Sequence, residues 1–570
     1  MVVRFLRSSD AAPALEVVAR LPSAAASHLD CAYECPTGLL DLPLEILMCI
    51  CGVLSVKDRV RLTSSCRTLW HAGQTSLWDD VAVETAGLPP WVLAHLGAWF
   101  SARRSALRRV QLKAEGTTKP LHLVLAGLGG PKMADLEVSN APGLEGLDWR
   151  QLQSLTYLSL PDCALSAVPL PVAAMPALSH LGLASNKLTV LPPQLSAAAQ
   201  SLCSLDLSHN AALGGALGDG APLGPALWQL TGLTRLALEG LGLKSIPQEL
   251  GCLPRLADLA VSHNRLEQHG DMHAAFEPVG ALRSLTRLAL RSCSLMSLPE
   301  PLSQLQQLQE LELGGNPLVP EGWEPLASLR QLSRLDLCGC SLKGLPQQLS
   351  ATQSLQDLVL RDNFSLGWGS DGGDAALEPL RWCTTLTRLQ MERCGLRKVP
   401  TQLMALAQLE DLDLHCNFGL GEGGEEALAP LLDLPSLTAL DLGGCAIQRL
   451  PIAAKLPSLR KLSLWSNQLG QGGPHALACL VSMPRLTALS LSNNGLGALP
   501  PQATALTGLA SLSMARNKPS GHPAQQGTAA LGLGMLPALR ALTMLDLSGC
   551  DLRAWPQELR LLTNLQARDC

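Results

Sequence analysis

The sequence predicts an α/β solenoid, in which short parallel β-strands stack into one sheet and each strand returns through a turn or a short helix. The motif LxxLxL recurs along most of the chain, as in residues 285–290, 332–337 and 437–442. Hydrophobic residues make up 47% of the 570 residues but aromatic residues only 3%, so the apolar content is mainly aliphatic. A core made mainly of one type of aliphatic residue is typical of repeat proteins, in which similar coils stack on one another.

The repeat starts recur from Leu155 to Leu565, and weaker starts at Leu107 and Met133 extend the array upstream. Alternating leucines place a short strand against the core, and one coil cannot bury that face alone, so the coils must stack. We therefore assign residues 107–570 to the solenoid. At a strand spacing of about 4.8 Å, about nineteen coils form a face on the order of 85 to 90 Å long.

The position after LxxLxLxx holds either asparagine or cysteine in nearly every coil. The asparagines are Asn186, Asn210, Asn264, Asn316, Asn363, Asn417, Asn467, Asn494 and Asn517, and the cysteines are Cys163, Cys293, Cys340, Cys394, Cys445 and Cys550. A buried asparagine can bridge backbone groups of neighbouring turns, and a thiol fills the same space as a small hydrophobe with a weak donor. Leu241 interrupts the pattern. Because Asn363 falls at this buried position, we discount Asn363-Phe364-Ser365 as a glycosylation site.

This pattern, LxxLxLxxN/C followed by a variable return, resembles the leucine-rich-repeat family. The resemblance implies a leucine-rich-repeat horseshoe with a parallel β-sheet on its concave face. Short coils of about 23 residues return through an LP turn, as at 298–299, 345–346 and 399–400. Most longer coils return through Gly-rich or helix-like stretches, such as 375–380 and 425–432.

Composition narrows the class of partner. The net charge of −5 gives no overall attraction to nucleic acid or to an anionic membrane. Pro, Gly or a charge interrupts each apolar stretch before the roughly 20 residues of a membrane span. None of the 18 cysteines forms a C-x2-C pair, which favours buried free thiols in a reducing compartment. We expect a cytoplasmic or nuclear protein with no nucleic-acid or membrane partner.

Residues 38–83 differ from the repeats and predict a small all-α module. The segment runs from Leu42-Pro43-Leu44-Glu45-Ile46-Leu47 through Cys66-Arg67 to Leu77-Trp78. Its apolar spacing fits two helix faces. It resembles the F-box, except that Arg59 stands where that family usually has leucine. Residues 1–37 are then a disordered tail and residues 84–106 a linking helix.

The F-box resemblance implies a function for this module. In that family the F-box docks on the Skp adaptor of a cullin-RING ubiquitin ligase, and the repeats behind it hold the protein substrate. Carried over by position, the adaptor-binding residues are Leu42, Pro43, Ile46, Ile50, Leu54 and Asp58. The alternative interpretation of residues 38–83 is a helical cap that shields the first coil, which a solenoid needs in any case.

Charge alternates along the predicted concave face. The residue before the second leucine of successive motifs is Arg235, Asp258, Arg287, Glu310, Arg334, Asp357, Arg388 and Asp411. Adjacent strands bring such residues within reach of ion pairs worth roughly 0.2–1 kcal/mol each. We therefore predict a largely self-neutralised ladder, with Trp465 as an exposed anchor beside it. The predicted partner-binding residues are Arg235, Arg287, Arg291, Glu312, Arg334, Asp336, Arg361, Arg388, Arg393, Asp413, His415 and Trp465.

The sequence predicts no catalytic site, no cofactor and no metal. Residues 419–424 spell GxGxxG, but sibling coils carry similar glycines, as in 213–215 and 469–473, so repeat geometry explains them. The residues His269, Asp271 and His273 share a loop, where solvation is the simpler interpretation. The chain lacks a G-x-S-x-G elbow and the C-x2-C pairs of a RING.

The leading hypothesis is therefore a non-enzymatic substrate receptor of an SCF-type ubiquitin ligase, with a Skp-type adaptor, a cullin scaffold and an unknown protein substrate as partners. The alternative is a ligase-independent scaffold for a signalling protein such as a small GTPase, which the LP turns of the short coils support. Residues 38–83 separate the two hypotheses, because a scaffold needs only an apolar cap there.

Overall fold

The computed structural model describes residues 80–569 with gaps, of which the longer ones are 85–95, 115–123, 216–224, 267–271, 518–532 and 551–556. The shorter gaps are 99, 103, 106, 126, 145–148, 174, 370–372, 453–455, 474 and 566. The chain divides into two compact units. The first holds the described residues up to Leu243 with Cys252–Ala260, and the second holds Lys244–Gly251 with those from Val261 onward.

The first unit contains eight described strands, each paired in parallel with the next. They are β1 Asp80–Glu84, β2 Arg109–Lys113, β3 Asp135–Ser139, β4 Tyr157–Ser159, β5 His180–Gly182, β6 Ser204–Asp206, β7 Arg235–Ala237 and β8 Asp258–Ala260. The central leucines Leu158, Leu181 and Leu205 are buried, as the two-residue period of a strand requires.

The second unit continues the same design with twelve described strands, again paired in parallel in chain order. They are β9 Arg287–Ala289, β10 Glu310–Glu312, β11 Arg334–Asp336, β12 Asp357–Val359, β13 Arg388–Gln390, β14 Asp411–Asp413, β15 Ala439–Asp441, β16 Lys461–Ser463, β17 Ala488–Ser490, β18 Ser511–Ser513, β19 Met544–Asp546 and β20 Ala567–Asp569. The register confirms the predicted leucine-rich-repeat solenoid, because each LxxLxL motif up to β19 supplies one strand with a buried central leucine.

Most returns between strands are short 3₁₀-helices. These are Trp149–Leu152, Pro193–Ala198, Gln248–Cys252, Glu300–Gln304, Glu324–Ser328, Gln347–Ala351, Ala375–Trp382, Thr401–Ala405, Ala429–Asp433, Leu469–Gln471, Ala478–Ser482, Pro501–Ala505, Leu533–Ala538 and Gln557–Leu561. The α-helical returns are Leu170–Ala173, Ala211–Gly215, Pro225–Trp228, Met272–Gly280, Gly419–Glu422 and Gly424–Ala427. None of the described helices has the length and apolar character needed to cross a membrane.

The sheet begins upstream of the first predicted coil. Strand β1 lies where the predicted helical module ends, and it pairs with β2 from Asp80↔Arg109 to Glu84↔Lys113. Residues 96–98 and 100–102 are helical, within the predicted linking helix, and Phe100 is fully buried. Residues 1–79, including the six predicted adaptor-binding residues, lie outside the described part of the chain.

Buried asparagines join each coil to the one before it. The Oδ1 atom of Asn417 accepts hydrogen bonds from the N–H groups of Cys394 and Leu396, at 2.9 and 3.1 Å. Its Nδ2 atom donates to the carbonyls of Met391 and Leu414, both at 2.8 Å. Four backbone groups that the core would otherwise leave without partners are thus satisfied by one side chain.

Cysteine at the same position bonds a carbonyl of the preceding coil, but it does not bridge the N–H groups of that coil. The thiol of Cys394 donates to the carbonyl of Leu360, in the preceding coil, at 3.2 Å. Equivalent bonds run from Cys163 to Val138, Cys293 to Val261, Cys340 to Leu313, Cys445 to Leu414 and Cys550 to Met514. A thiol cannot bridge two N–H groups as an amide oxygen does. The N–H groups of cysteine and asparagine coils alike are accepted by the asparagine of the following coil, as Asn417 accepts from Cys394 and Asn517 accepts from Asn494.

The cysteines at this position are free thiols, and burial suppresses their ionisation. Burial raises the pKa of Cys163 to about 11 and the pKa values of Cys340 and Cys445 to about 12. Since the thiolate is the reactive form, these cysteines have a packing role. Where Leu241 interrupts the pattern, the leucine side chain is fully buried and occupies the position as a hydrophobe.

Proline and glycine shape the returns. Pro299, Pro346 and Pro400 have extended backbones and precede the 3₁₀ turns of the short coils. In the GxGxxG segment, a Cβ atom on Gly421 would lie 2.2 Å from the carbonyl oxygen of Ala446 in the next coil. Gly470 meets the carbonyl of Gly495 at the same distance. Close contact between coils therefore accounts for these glycines.

We predict that Asn417→Ala destabilises the second unit by about 3 kcal/mol, because it leaves buried N–H and C=O groups without partners. Chemical denaturation followed by circular dichroism measures the change. Asn564→Ala is the matched control, since Asn564 is exposed and makes one bond, to the Arg540 carbonyl. Equal losses in the two variants would contradict the bridging role.

Candidate protein-binding surface

The residues that flank the buried central leucine of each strand form the open face of the sheet. In the second unit, ion pairs link neighbouring strands along this face. Arg287 pairs with Glu310 at 3.3 Å, and Arg388 pairs with Asp357 at 3.4 Å and with Asp411 at 3.6 Å. Arg334 also pairs with Asp357. The predicted cross-strand ion pairs are thus present between β9 and β10 and along strands β11 to β14.

A second row of charges lies deeper in the open face, where sequence reasoning expected accessible residues. Arg291 Nε contacts Glu312 Oε2 at 2.6 Å, and Arg287 Nη2 contacts Glu312 Oε1 at 2.7 Å. Arg291 also pairs with Asp336. The expectation that Glu312 and Asp336 are available to a partner is wrong, because these arginines cover them and leave the two acids 8% and 0% exposed.

The pKa values of two acids in this part of the face, Glu312 and Glu392, are shifted in opposite directions. Burial opposes ionisation of Glu312, but hydrogen bonds from Arg287 and Arg291 outweigh it and hold the pKa of Glu312 below its usual value. Burial, and then the nearby charge of Asp413, raise the pKa of Glu392 above its usual value. Arg361 is the cation paired with Glu392, at 3.6 Å.

An acidic cluster follows at the carboxyl ends of strands β13 to β15, and we define it as Glu392, Asp413, His415 and Asp441. The Nδ1 atom of His415 lies 2.7 Å from Asp413 Oδ1. Asp413 and Asp441 each use Oδ1 to accept the N–H group two residues later, at 3.0 and 2.7 Å. Burial, and the charge of Asp413 beside it, raise the pKa of Asp441.

Trp465 borders this cluster and is half-buried, so the expectation of an exposed tryptophan is wrong. Its ring lies 5.9 Å from the ring of His415, centroid to centroid. A Cβ atom on Gly443 would lie 2.2 Å from Trp465 Nε1, so the glycine makes room for the indole. Arg393 is exposed and pairs with Asp362 at 3.4 Å.

Exposed aromatic residues at the end of the strands were missed by sequence reasoning. We define the aromatic patch as Phe364, Trp368 and Phe418, which are 58%, 75% and 66% exposed. Both phenylalanines directly follow the repeat asparagine, on the two sides of the coil that contains Gly395. Trp368 covers that glycine, because a Cβ atom there would lie 3.0 Å from the indole. The dipeptide Asn-Phe, present twice at one repeat position of an aromatic-poor chain, was the available signal.

The remaining predicted residues are distributed over both units. Arg235 belongs to the first unit, where it is exposed and pairs with Asp258 at 3.4 Å. In the second unit, a depression in the sheet surface is lined by Arg388, Asp411 and Lys461, among others. Charges of both signs in one depression suit a polar protein segment better than an apolar small molecule.

The repeat, the parallel strands and the bridging asparagines define a leucine-rich-repeat solenoid. No protein-family model matches the sequence. The chain is similar to podocan-like protein 1 of Homo sapiens, with 33% identity over 217 residues, which cover 31% of this chain and 41% of that protein. The match thus spans less than half of that relative.

Two solved structures are similar to this chain over part of its length. One is a leucine-rich-repeat protein of Leptospira interrogans, with 22% identity, a TM-score of 0.45, and coverage of 83% of this chain and 98% of the other. The second is an internalin of Listeria monocytogenes, with 17% identity, a TM-score of 0.38, and coverage of 60% and 82%.

We predict opposite effects of removing the two carboxylates by amide substitution. Near neutral pH, Glu312→Gln lowers stability by about 1–3 kcal/mol, because it removes charge-assisted bonds. Glu392→Gln raises stability, because it removes a buried charge that the fold disfavours. Urea unfolding of wild type and of both variants measures the two changes in the free energy of unfolding. A chelator is present so that bound metal ions do not contribute.

The direction of each pKa shift also determines how the contribution of each carboxylate to stability changes with pH. The stabilising contribution of Glu312 is present above the unfolded pKa of about 4.3 and is lost as pH falls through its lower folded pKa. The destabilising effect of Glu392 is absent below about pH 4.3 and grows as pH rises through its higher folded pKa. A stability difference of the same sign for both variants near neutral pH would contradict these assignments.

Proposed function

We propose that this chain is a non-catalytic protein-binding scaffold that contacts its partner through the open face of strands β9 to β16 and the adjoining aromatic patch. The aromatic patch is the observation that carries the proposal. A chain with only 3% aromatic residues places three of them, each more than half exposed, on two coils that a single coil separates. Exposed aromatic clusters beside charged residues are typical of the energetic centre of protein interfaces.

The open face supports selectivity more than affinity. Its half-exposed arginines, Arg287, Arg291, Arg334 and Arg361, already have acidic partners within the chain. A partner must therefore exchange existing ion pairs for new ones, which yields little net energy but rejects surfaces with the wrong charge pattern. Four residues adjoin the least neutralised part of this face, and we propose that the partner contacts them: Arg393, Asp413, His415 and Trp465.

We further propose that the scaffold is the substrate receptor of an SCF-type ubiquitin ligase. The support is the F-box-like sequence of residues 38–83 ahead of the repeats, with Leu42, Pro43, Ile46, Ile50, Leu54 and Asp58 facing the Skp adaptor. In such an assembly the chain positions a substrate, and other subunits supply the ubiquitin-transfer chemistry. The cytoplasm and nucleus are the corresponding locations.

A second candidate function is a ligase-independent scaffold for a signalling protein such as a small GTPase. The LP turns before Glu300–Gln304, Gln347–Ala351 and Thr401–Ala405 favour it, since they are the feature that this chain shares with intracellular LP-type repeat proteins. In this case residues 38–83 act only as a cap on the first coil.

A pull-down of the full chain with a purified Skp adaptor distinguishes the two functions. We expect wild type to bind, and we expect the Leu42→Ala/Pro43→Ala/Ile46→Ala variant to lose binding because it removes apolar contacts of the docking helix. Arg59→Leu is a useful companion, since it restores the residue usual in the F-box family and should strengthen binding. Failure of wild type to bind at micromolar concentration would leave the scaffold function in its place.

A second prediction concerns the aromatic patch. For a partner identified by proximity labelling, Phe364→Ala/Phe418→Ala should weaken affinity by at least about 2 kcal/mol, as expected for loss of interface anchors. Val190→Ala removes an exposed apolar side chain from the first unit and is the matched control. Isothermal titration calorimetry with the purified partner measures both. Unchanged affinity in the double variant would exclude the patch as the binding centre.

A further inference from the structure

The acidic cluster has more carboxyl groups than the ion pairs of the described residues balance. Glu392, Asp413 and Asp441 bring three carboxyl groups together. Within the described residues, the ion pairs of these groups are those of Glu392 with Arg361, at 3.6 Å, and of Asp413 with His415, at 2.7 Å. Around Glu312, by contrast, two arginines form ion pairs with one carboxylate.

In other coils, the aspartate at the same repeat position has a hydrogen-bond partner for each of its two side-chain oxygens. Asp336 and Asp546 occupy the position of Asp413 and Asp441, and each also accepts the N–H group two residues later through Oδ1. Their second oxygen then receives Arg291 and the Ser513 hydroxyl, respectively. Asp441 likewise has a side-chain hydrogen bond, with Ser463. At Asp413, among the described residues, the side-chain partner is the imidazole of His415, which bonds the same Oδ1 atom.

One carboxylate oxygen of the cluster is buried and has no hydrogen-bond partner among the described residues. Glu392 is 7% exposed, and its Oε2 atom has no hydrogen-bond partner among the described residues. The carboxyl group lies within electrostatic reach of Asp413 and His415. An unsatisfied carboxylate oxygen in such a place points to a cation that supplies the missing interaction.

The geometry points to a binding site for a divalent transition-metal ion of the zinc class, formed by Asp413, His415 and Asp441 and balanced by the charge of Glu392. One ligand atom from each of the three residues lies within 4.8 Å of the others. Ligand atoms on a tetrahedral zinc ion are about 3.4 Å apart, so the side chains need to move by up to about 1.5 Å.

The ligand types select the class of metal. An imidazole with carboxylates suits zinc, whereas calcium takes six to eight oxygen ligands and magnesium retains most of its water. The three ligand residues are half-buried, which leaves room for a water or for a side chain of a bound protein at a fourth position. The site thus adds a metal-dependent element to the open face, independent of whether residues 38–83 bind an adaptor.

Calorimetric titration of the chelator-treated full chain with Zn²⁺ tests this inference. We expect one site that Asp413→Asn and His415→Gln each weaken by at least about tenfold. Asp413→Asn retains an oxygen that can accept the His415 N–H, so the turn is preserved. Asp546→Asn, at the same repeat position, and Cys416→Ser, beside the site, are the matched controls and should bind Zn²⁺ as wild type does. Equal affinity in wild type and both ligand variants would overturn the assignment.

Co²⁺ absorption provides a readout that separates this site from binding to the chain's thiols. A site of imidazole and carboxylates gives ligand-field bands without the sulfur-to-metal charge transfer of thiolate ligands. We expect such bands in wild type and in Cys416→Ser, and their loss in Asp413→Asn. Charge-transfer absorption that disappears in Cys416→Ser would instead assign the metal to cysteine and overturn the proposal. Melting curves in chelator show whether each variant is folded.

Discussion

The bridge that one buried side chain makes between successive coils is the interaction on which the rest of the structure depends. A strand of three residues cannot persist alone, and its leucines cover only one side of the core that they enter. Asn417 connects backbone groups on both sides of one coil boundary, and Asn316 and Asn467 do the same elsewhere in the second unit. The strand register, and thus the placement of every side chain on the open face, follows from these bridges.

The alternation of asparagine and cysteine fits this constraint. An amide both donates and accepts, whereas a thiol is only a weak donor, so asparagine bridges the N–H groups of the coil before it, whether that coil carries cysteine or asparagine. Cys293 obtains this bond from Asn316, and Cys445 obtains it from Asn467. Stability in such an array is a sum of nearest-neighbour terms, and damage to one bridge should remain local.

Much of the fold could be predicted from the sequence, because the leucine period determines which residues face the core. The burial of Asn363 and the cross-strand pairs of Arg287 and Arg388 follow from that period together with the two-residue alternation of a strand. Strand β1 was missed because its residues lie outside the LxxLxL pattern. Its two buried valines, Val81 and Val83, alternate over too few positions to indicate a strand.

Accessibility on the open face could not be predicted in the same way. The period shows that Glu312 and Asp336 leave the core, but not that arginine side chains from neighbouring strands lie over them. Trp465 is half-buried because Gly443, in another coil, leaves room for its ring. Such contacts depend on pairs of residues in different coils, which a single sequence does not identify.

The face that results has two electrostatic regions with different consequences for binding. Strands β9 to β12 carry acids and arginines that pair with each other, and we propose that this part contributes selectivity. Around β13 to β15 the carboxylates exceed the bases. Half-buried Trp465 lies beside His415, and Phe418 of the aromatic patch follows in the same coil as His415. A partner that combines apolar side chains with positive charge, or with a metal ligand, would match both features.

Hydrogen–deuterium exchange of the full chain, with and without the Asn417→Ala substitution, tests the central claim most directly. The account predicts that amides of Cys394 and Leu396 lose protection in the variant, while those bridged by Asn186 and Asn210 in the first unit keep it. Unchanged protection at Cys394 and Leu396, or an equal loss throughout the chain, would contradict the claim that side-chain bridges hold each coil to its neighbour.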